Sequence, residues 1–258
     1  MRILFIGDVF GAAGRRVIER KLTKVKNEYD IDFCIVNGEN ASHGRGLSMS
    51  AADTLYGAGA DFITMGNHTW GNGDIFNYID DYPIIRPANF AEGLPGRGYD
   101  VVDTVAGRVG IINLQGRVSM DPVDNPFTCA DKCIERMKDE ADMIIVDFHA
   151  EATSEKMAMA YYLDGRVSAV LGTHTHVQTA DERILQNGTA FITDVGMTGT
   201  DTGVIGMRKH QVIEKFVMGL PKRFEPADGR AHMCGAVLDV DNESGKTLSI
   251  ERICVSEN

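Results

Sequence analysis

The sequence predicts an α/β fold in which two mixed β-sheets pack together beneath outer helices. Three observations carry this expectation. Short apolar runs, too short for helices, recur along the chain, and many end in Gly, Asp or Asn. Helical patterns separate several of these runs in the first part of the chain, as parallel βαβ units require. Farther on, two pairs of runs are joined by turn sequences that signal antiparallel hairpins.

Taken in order, Ile3–Ile6 reads as the first buried strand. A helix over Arg15–Tyr29 comes next, apolar at Val17, Ile18, Leu22 and Val25 and charged elsewhere. Phe33–Val36 and Phe62–Met65 read as strands, and between them Ser50–Gly57 offers a Ser cap and an Ala-rich turn. Tyr99–Val105 and Arg108–Leu114 form a hairpin through Ala106-Gly107, with Val109–Leu114 as its buried run. Helices over Thr128–Glu140 and Ser154–Leu163 alternate with strands at Met143–Phe148 and Val167–Leu171. A strand at Ala190–Thr193, a helix over Lys209–Met218 and a hairpin of Met233–Val240 with Thr247–Val255, turning at Asp241–Gly245, complete the series; Ala236–Val240 is its buried run. No linker, internal repeat or low-complexity tract interrupts it, so residues 1–258 are read as one domain.

Of the 258 residues 43% are hydrophobic and 24% charged, enough to bury a sizeable core and inconsistent with disorder. The net charge of -11 repels a phosphate backbone, which argues against bulk nucleic-acid or membrane binding. It leaves room for a small anionic substrate wherever bound cations reverse the local field. The five cysteines are odd in number and irregular in spacing, as expected of reduced thiols in a cytoplasmic protein. Cys129 and Cys133 fall on one face of a predicted helix, and no CxxC or second pair completes a zinc motif there. The N-terminal apolar run is too short for a signal h-region, and no stretch approaches the ~20 apolar residues that span a bilayer.

The informative pattern lies just past the end of each buried strand. Ile3–Ile6 runs into Gly7-Asp8, Phe33–Val36 into Asn37-Gly38-Glu39-Asn40, and Phe62–Met65 into Gly66-Asn67-His68. Met143–Val146 runs into Asp147-Phe148-His149, and Val167–Leu171 into Gly172-Thr173-His174-Thr175-His176. Each fragment alone fits a cap or a turn. Together they deliver metal-capable groups past the C-terminal ends of five strands, the edge at which open α/β sheets bind ligands. In Thr-His-Thr-His, alternate residues of an extended chain would share one face. Carboxylate, amide and imidazole donors without thiolate suit Mn, Fe or Zn. Glu39, with two oxygens, is the candidate to bridge two ions ~3.5–4 Å apart, which could clamp the attacking and leaving oxygens of a phosphoryl transfer. Four charges from two divalent ions, less Asp8, Glu39 and a hydroxide, leave the site positive enough for an anionic ester.

These motifs resemble those of the calcineurin-like metallophosphoesterases, and more closely the bacterial YmdB-type branch. Supporting stretches are Ile3–Gly11, Val36–Gly46, Asn113–Arg117, Val146–Lys156 and Phe191–Gly199, which together run over most of the chain. The broad superfamily opens with Asp-x-His, whereas Asp8-Val9-Phe10 stands here and Phe10 cannot ligate. Its second motif is usually Gly-Asp, replaced here by Gly38-Glu39-Asn40. In the branch resembled, the longer Glu bridges and the following Asn supplies the missing ligand. The resemblance therefore implies Asp8, Glu39, Asn40 and His176 on one ion and Glu39, Asn67, His149 and His174 on the other. It also implies iron, or manganese, as the metal and a four-layer α/β/β/α sandwich as the fold.

The activity implied is hydrolysis of 2′,3′- and 3′,5′-cyclic nucleotides by a metal-bridging hydroxide. His68, beside Asn67, matches the residue that the superfamily uses as general acid. His43, Arg45 and Arg117 are candidates to contact substrate, and Trp70 to stack on a base or simply to pack. His210 and His232 have no motif context and are read as structural or exposed. A homo-oligomer, dimer or tetramer, is compatible with the sequence but is not dictated by it. Rival readings are a phosphomonoesterase or protein phosphatase on the same site, a catalytically silent regulator, and a nucleotide-binding oxidoreductase. The last rests on Gly11-Ala12-Ala13-Gly14, whose spacing does not match a dinucleotide fingerprint.

Overall fold

The computed structural model describes residues 1–257. Its strands are β1 (Arg2–Ile6), β2 (Phe33–Asn37), β3 (Phe62–Thr64), β4 (Ile84–Ile85), β5 (Tyr99–Thr104), β6 (Gly107–Gln115), β7 (Met143–His149), β8 (Ala169–Thr173), β9 (Arg183–Ile184), β10 (Ala190–Ile192), β11 (Gly199–Thr200), β12 (Ala231–Val240) and β13 (Thr247–Ser256). The α-helices are α1 (Gly11–Glu28), α2 (Met49–Gly57), α3 (Pro126–Met137), α4 (Thr153–Leu163) and α5 (Lys209–Met218). One sheet runs β11-β12-β1-β2-β3-β4, with β13 on β12; the other runs β5-β6-β7-β8-β10-β9. Both mix parallel and antiparallel pairs, as the hairpins required.

Three apolar cores separate four layers. Leu4, Ile6, Cys34 and Val36 face Val17, Ile18, Leu22 and Leu55 of α1 and α2. Ile3, Phe5, Ile35 and Phe62 alternate to the opposite face and meet Ile111, Ile145, Leu171 and Ile192 of the second sheet. That sheet turns Ile112, Val146 and Val170 toward Cys133, Met137, Met159 and Leu163 of α3 and α4. The central strands are buried on both faces, which is why they read as unbroken apolar runs. Among the described residues, no helix is long and apolar enough to cross a membrane.

Helix α1 starts at Gly11, four residues before the periodicity suggested. Gly14 sits against the backbone just before β11, and a Cβ there would stand 2.4 Å from the Thr198 carbonyl oxygen. Gly14 thus serves close backbone packing, whereas Gly11 takes a left-handed φ of 59° at the helix start. Strands β4, β9 and β11 have two residues each and lack any periodicity to detect.

Candidate metal centre

Five strand ends from both sheets open onto one bowl. Asp8, Glu39 and His149 form its buried floor, and His174 and His68 lie toward its open side. Glu39 is the hub. Its Oε2 accepts from the His68 amide N–H at 2.9 Å, and its Oε1 accepts from Asn40 Nδ2 at 2.8 Å. The same Oε1 lies 3.3 Å from both His149 Nε2 and His68 Nδ1. Asp8 Oδ2 accepts from the His174 amide at 3.1 Å, while its Oδ1 lies 3.7 Å from His176 Nε2 and 3.9 Å from His149 Nδ1. His149 Nε2 is 2.9 Å from Asn67 Oδ1 and 3.0 Å from His174 Nδ1.

These contacts fit cation ligands better than a hydrogen-bond network. A single ring nitrogen, His149 Nε2, faces Asn67, His174 and Glu39 together, and one proton cannot serve three partners. Donors about 2.1 Å from a shared ion and at right angles to each other stand about 3 Å apart, the spacing found here. Asp8 Oδ1 is buried with no hydrogen-bond partner, an orphan that a cation would satisfy. Glu39, His149 and His174 each offer one ligand atom, and the three lie within 4.8 Å of one another.

Local chain chemistry sets this geometry. Gly66 must lack a side chain, because a Cβ would sit 2.4 Å from Glu39 Oε2 and 2.6 Å from the His149 ring. His174 and His176 do not share a face of an extended strand, as their alternation suggested. β8 ends at Thr173, and both histidines take left-handed conformations, φ 96° and 64°, that turn their rings inward. Such strain in non-glycine residues persists only where the surroundings hold it.

Outer partners fix the rings. His149 Nδ1 is 2.9 Å from Thr173 Oγ1, which donates to Asp147 Oδ1 at 2.7 Å, and Asn37 Nδ2 donates to Asp147 Oδ2 at 2.9 Å. The His149 ring therefore presents Nε2 to the bowl, as an oriented ligand would. His176 Nδ1 donates to the Ile205 carbonyl at 3.2 Å, leaving Nε2 toward Asp8. Asp147 and Thr173 orient the ring rather than face the bowl.

Electrostatics reflect the crowding. Burial pushes Glu39 upward, but the His149 charge and the hydrogen bonds of His149 and His68 hold it well below its ordinary value. Burial lowers His149, and Glu39 overrides it, raising the ring to about 9. Burial and then the His149 charge depress His174 to about 3. Burial raises Asp8 against the opposing charges of His176 and His149, and burial raises Asp147 to about 6.

Three further residues are not singled out from the sequence. Asp194 Oδ2 accepts from buried Lys156 Nζ at 2.8 Å, and from the Thr175 amide and hydroxyl at 3.1 and 2.6 Å. The pair braces the segment between the two histidines. Asp194 lies just past the apolar run of β10, so the strand-end signal is present; Lys156 carries none. Glu151 Oε2, 3.2 Å from His174 Nε2, is likewise unannounced.

His43, Arg45 and Arg117 are exposed, with no side-chain hydrogen bond or ion pair among the described residues. His43 lies in the loop directly after Asn40, at φ 55°. Beside Asn67 and His174 opens a cavity of about 320 Å³, also lined by Ser119, Met120 and Asp121. An adjoining recess of about 250 Å³ is walled by Trp70, Phe90 and Leu94. Trp70 stacks on Phe76 with centroids 5.0 Å apart and planes 6° from parallel.

The chain is similar to known proteins over its whole length. A model of YmdB-like proteins matches residues 4–253. The chain is 51% identical, over 100% of its length and 98% of the relative's, to the 2′,3′-cyclic-nucleotide 2′-phosphodiesterase of Bacillus subtilis (strain 168). It is 38% identical to a solved structure described as a novel phosphatase of Mycoplasma pneumoniae, with TM-score 0.93 over 99% of this chain and 93% of that one. The calcineurin-like phosphoesterase YfkN of Bacillus subtilis shares the fold at TM-score 0.64 and 14% identity, covering 100% and 90% of the two chains.

Proposed function

The chain belongs to the YmdB-like protein family, and on that premise we propose that it is a two-metal phosphodiesterase opening cyclic nucleotides, 2′,3′-cyclic and 3′,5′-cyclic. The observation that carries this reading is the convergence of donor atoms from Asn67, His149, His174 and Glu39 at 2.9–3.3 Å, beside the orphaned Asp8 Oδ1.

Asp8, Glu39, Asn40 and His176 would hold one ion, and Glu39, Asn67, His149 and His174 the other. Iron or manganese suits these nitrogen and oxygen donors. Bound there, the ions supply Lewis-acid charge to the phosphate and lower the pKa of the attacking water.

The chain's own groups do the rest. Glu39 and Asp8 fix the floor, and Asn67 and His174 border the cavity where the ester lies. Asn40 is turned with Nδ2 toward Glu39 and His176. Its Oδ1, the oxygen that would ligate, faces His68 Nδ1 at 2.8 Å and accepts the proton there. Carrying a second proton on Nε2, His68 gives that one to the departing alkoxide and is left as neutral imidazole. The recess walled by Trp70, Phe90 and Leu94 accepts the base. His43, Arg45 and Arg117, exposed and unpaired, draw the anionic substrate inward.

A cytoplasmic setting suits the five free thiols. Exposed Phe216, Val217, Met218 and Leu220 around the end of α5 support self-association into a dimer or tetramer.

The test is metal analysis of purified protein together with hydrolysis of 2′,3′- and 3′,5′-cyclic AMP. Two bound ions and turnover are expected, both diminished in Asn67→Ala. Preference for p-nitrophenyl phosphate over its bis ester would instead make the protein a monoesterase.

A further inference from the structure

A second cluster of metal-ligating side chains lies outside the bowl. His232 and Cys234 are two apart on β12 and so point to one face. Cys254 of β13 is directly opposite Cys234, with the two sulfurs 3.2 Å apart. One ligand atom from each of the three residues falls within 4.8 Å of the others. Cys234 is buried, His232 half-buried and Cys254 exposed, so the cluster has a protein floor and a solvent opening. No motif spacing announces it, because the third ligand arrives through strand pairing.

We propose that His232, Cys234 and Cys254 form a cation site that takes a thiophilic divalent ion, Zn²⁺, with solvent in the fourth position. Two sulfurs and one imidazole are the donor set of borderline-soft metals, and three protein ligands with one open position form a known zinc arrangement. Sulfurs about 2.3 Å from a tetrahedral ion stand about 3.8 Å apart. Rotation of the exposed Cys254 side chain supplies the half-ångström of opening. Binding releases the two thiol protons to solvent, and the two thiolates neutralise the ion.

The position gives the site a consequence. The Cys234 carbonyl accepts from the Gly7 amide at 3.0 Å, one residue before Asp8. It also accepts from Thr198 Oγ1 at 3.3 Å. Gln178, two residues after His176, donates Nε2 to the carbonyls of Gly235 and Ile253 at 3.1 and 3.0 Å. An ion here staples β12 to β13 directly behind the strand end that carries Asp8.

Cobalt distinguishes the two centres, since the bowl offers no thiolate. Reduced full-length protein titrated with Co²⁺ to saturation should develop a thiolate-to-cobalt charge-transfer band, and excess Zn²⁺ should bleach it. Cys254→Ser should remove the band, and His232→Ala should weaken cobalt binding at least tenfold. Cys129→Ser, which alters the other neighbouring thiol pair, should leave the band intact. Absence of the band from reduced protein overturns the site, as does a band that survives Cys254→Ser or disappears with Cys129→Ser. None of these readouts depends on hydrolysis, so failure here and failure of the phosphodiesterase reading are separable.

Discussion

His68 Nδ1 lies 2.8 Å from Asn40 Oδ1, so the ring is tied to the floor of the bowl by one nitrogen while the other has no protein partner among the described residues. A histidine held in this way can deliver a proton without being a ligand. His68→Ala should lower kcat by ~10²–10⁴, the range of a lost general acid, with metal content unchanged by elemental analysis. Loss of metal in step with activity would assign His68 to ligation.

Gly66→Ala tests the floor from its backbone. The added methyl would stand 2.4 Å from Glu39 Oε2, and neither Glu39 nor His149 has room to retreat. Metal content and turnover should both fall at least tenfold, while far-ultraviolet circular dichroism stays that of the parent.

Asp147 gives a pH signature. Its carboxyl titrates at about 6 in the fold, raised by burial from an ordinary 3.8. The protonated form is the one the fold favours. Its contribution is therefore fully present below the ordinary value and is lost as pH rises through about 6. In metal-free protein, denaturant melts should show the parent losing stability relative to Asp147→Asn over that window. The expected loss is a few kcal/mol, at about 1.4 kcal/mol per unit. Parallel stability curves for the two proteins would exclude the shift.

Lys156 and Asp194 form a fully buried ion pair at 2.8 Å. Lys156→Met should cost about 3–5 kcal/mol in equilibrium unfolding, because it strands a buried charge. Since Asp194 also holds Thr175, between His174 and His176, metal affinity should weaken too. Adding Asp194→Asn to Lys156→Met should recover part of the stability.

Each ion supplied at about 100 times its dissociation constant should stabilise the metal-free parent by about 2.7 kcal/mol, seen as a rise in melting temperature. Asn67→Ala should show a smaller rise.

Much of the fold and of the site is legible in the sequence. Buried strands such as β1, β2 and β7 announce themselves through unbroken apolar runs, and the polar residues just past them mark the site. Legibility stops where one contact depends on another. Nothing in the order of residues says that Thr-His-Thr-His will turn through two left-handed conformations, since that is imposed by Asp8 and Asp194 from elsewhere in the chain. Lys156 looks like any lysine in a helix until β10 brings Asp194 against it. His232 and Cys254 are 22 positions apart and are brought together by the pairing of β12 with β13.

The inter-sheet core also acts as a ruler. Asp8, Glu39 and Asn67 stand on one sheet, His149 and His174 on the other, and Ile35, Phe62, Ile145 and Leu171 set the gap between them. Trimming one of those side chains lets the sheets creep together by a fraction of an ångström, too little to unfold the protein but enough to detune a cluster whose tolerances are of that size. Drift in catalytic performance should thus be traceable to aliphatic positions that never see the substrate.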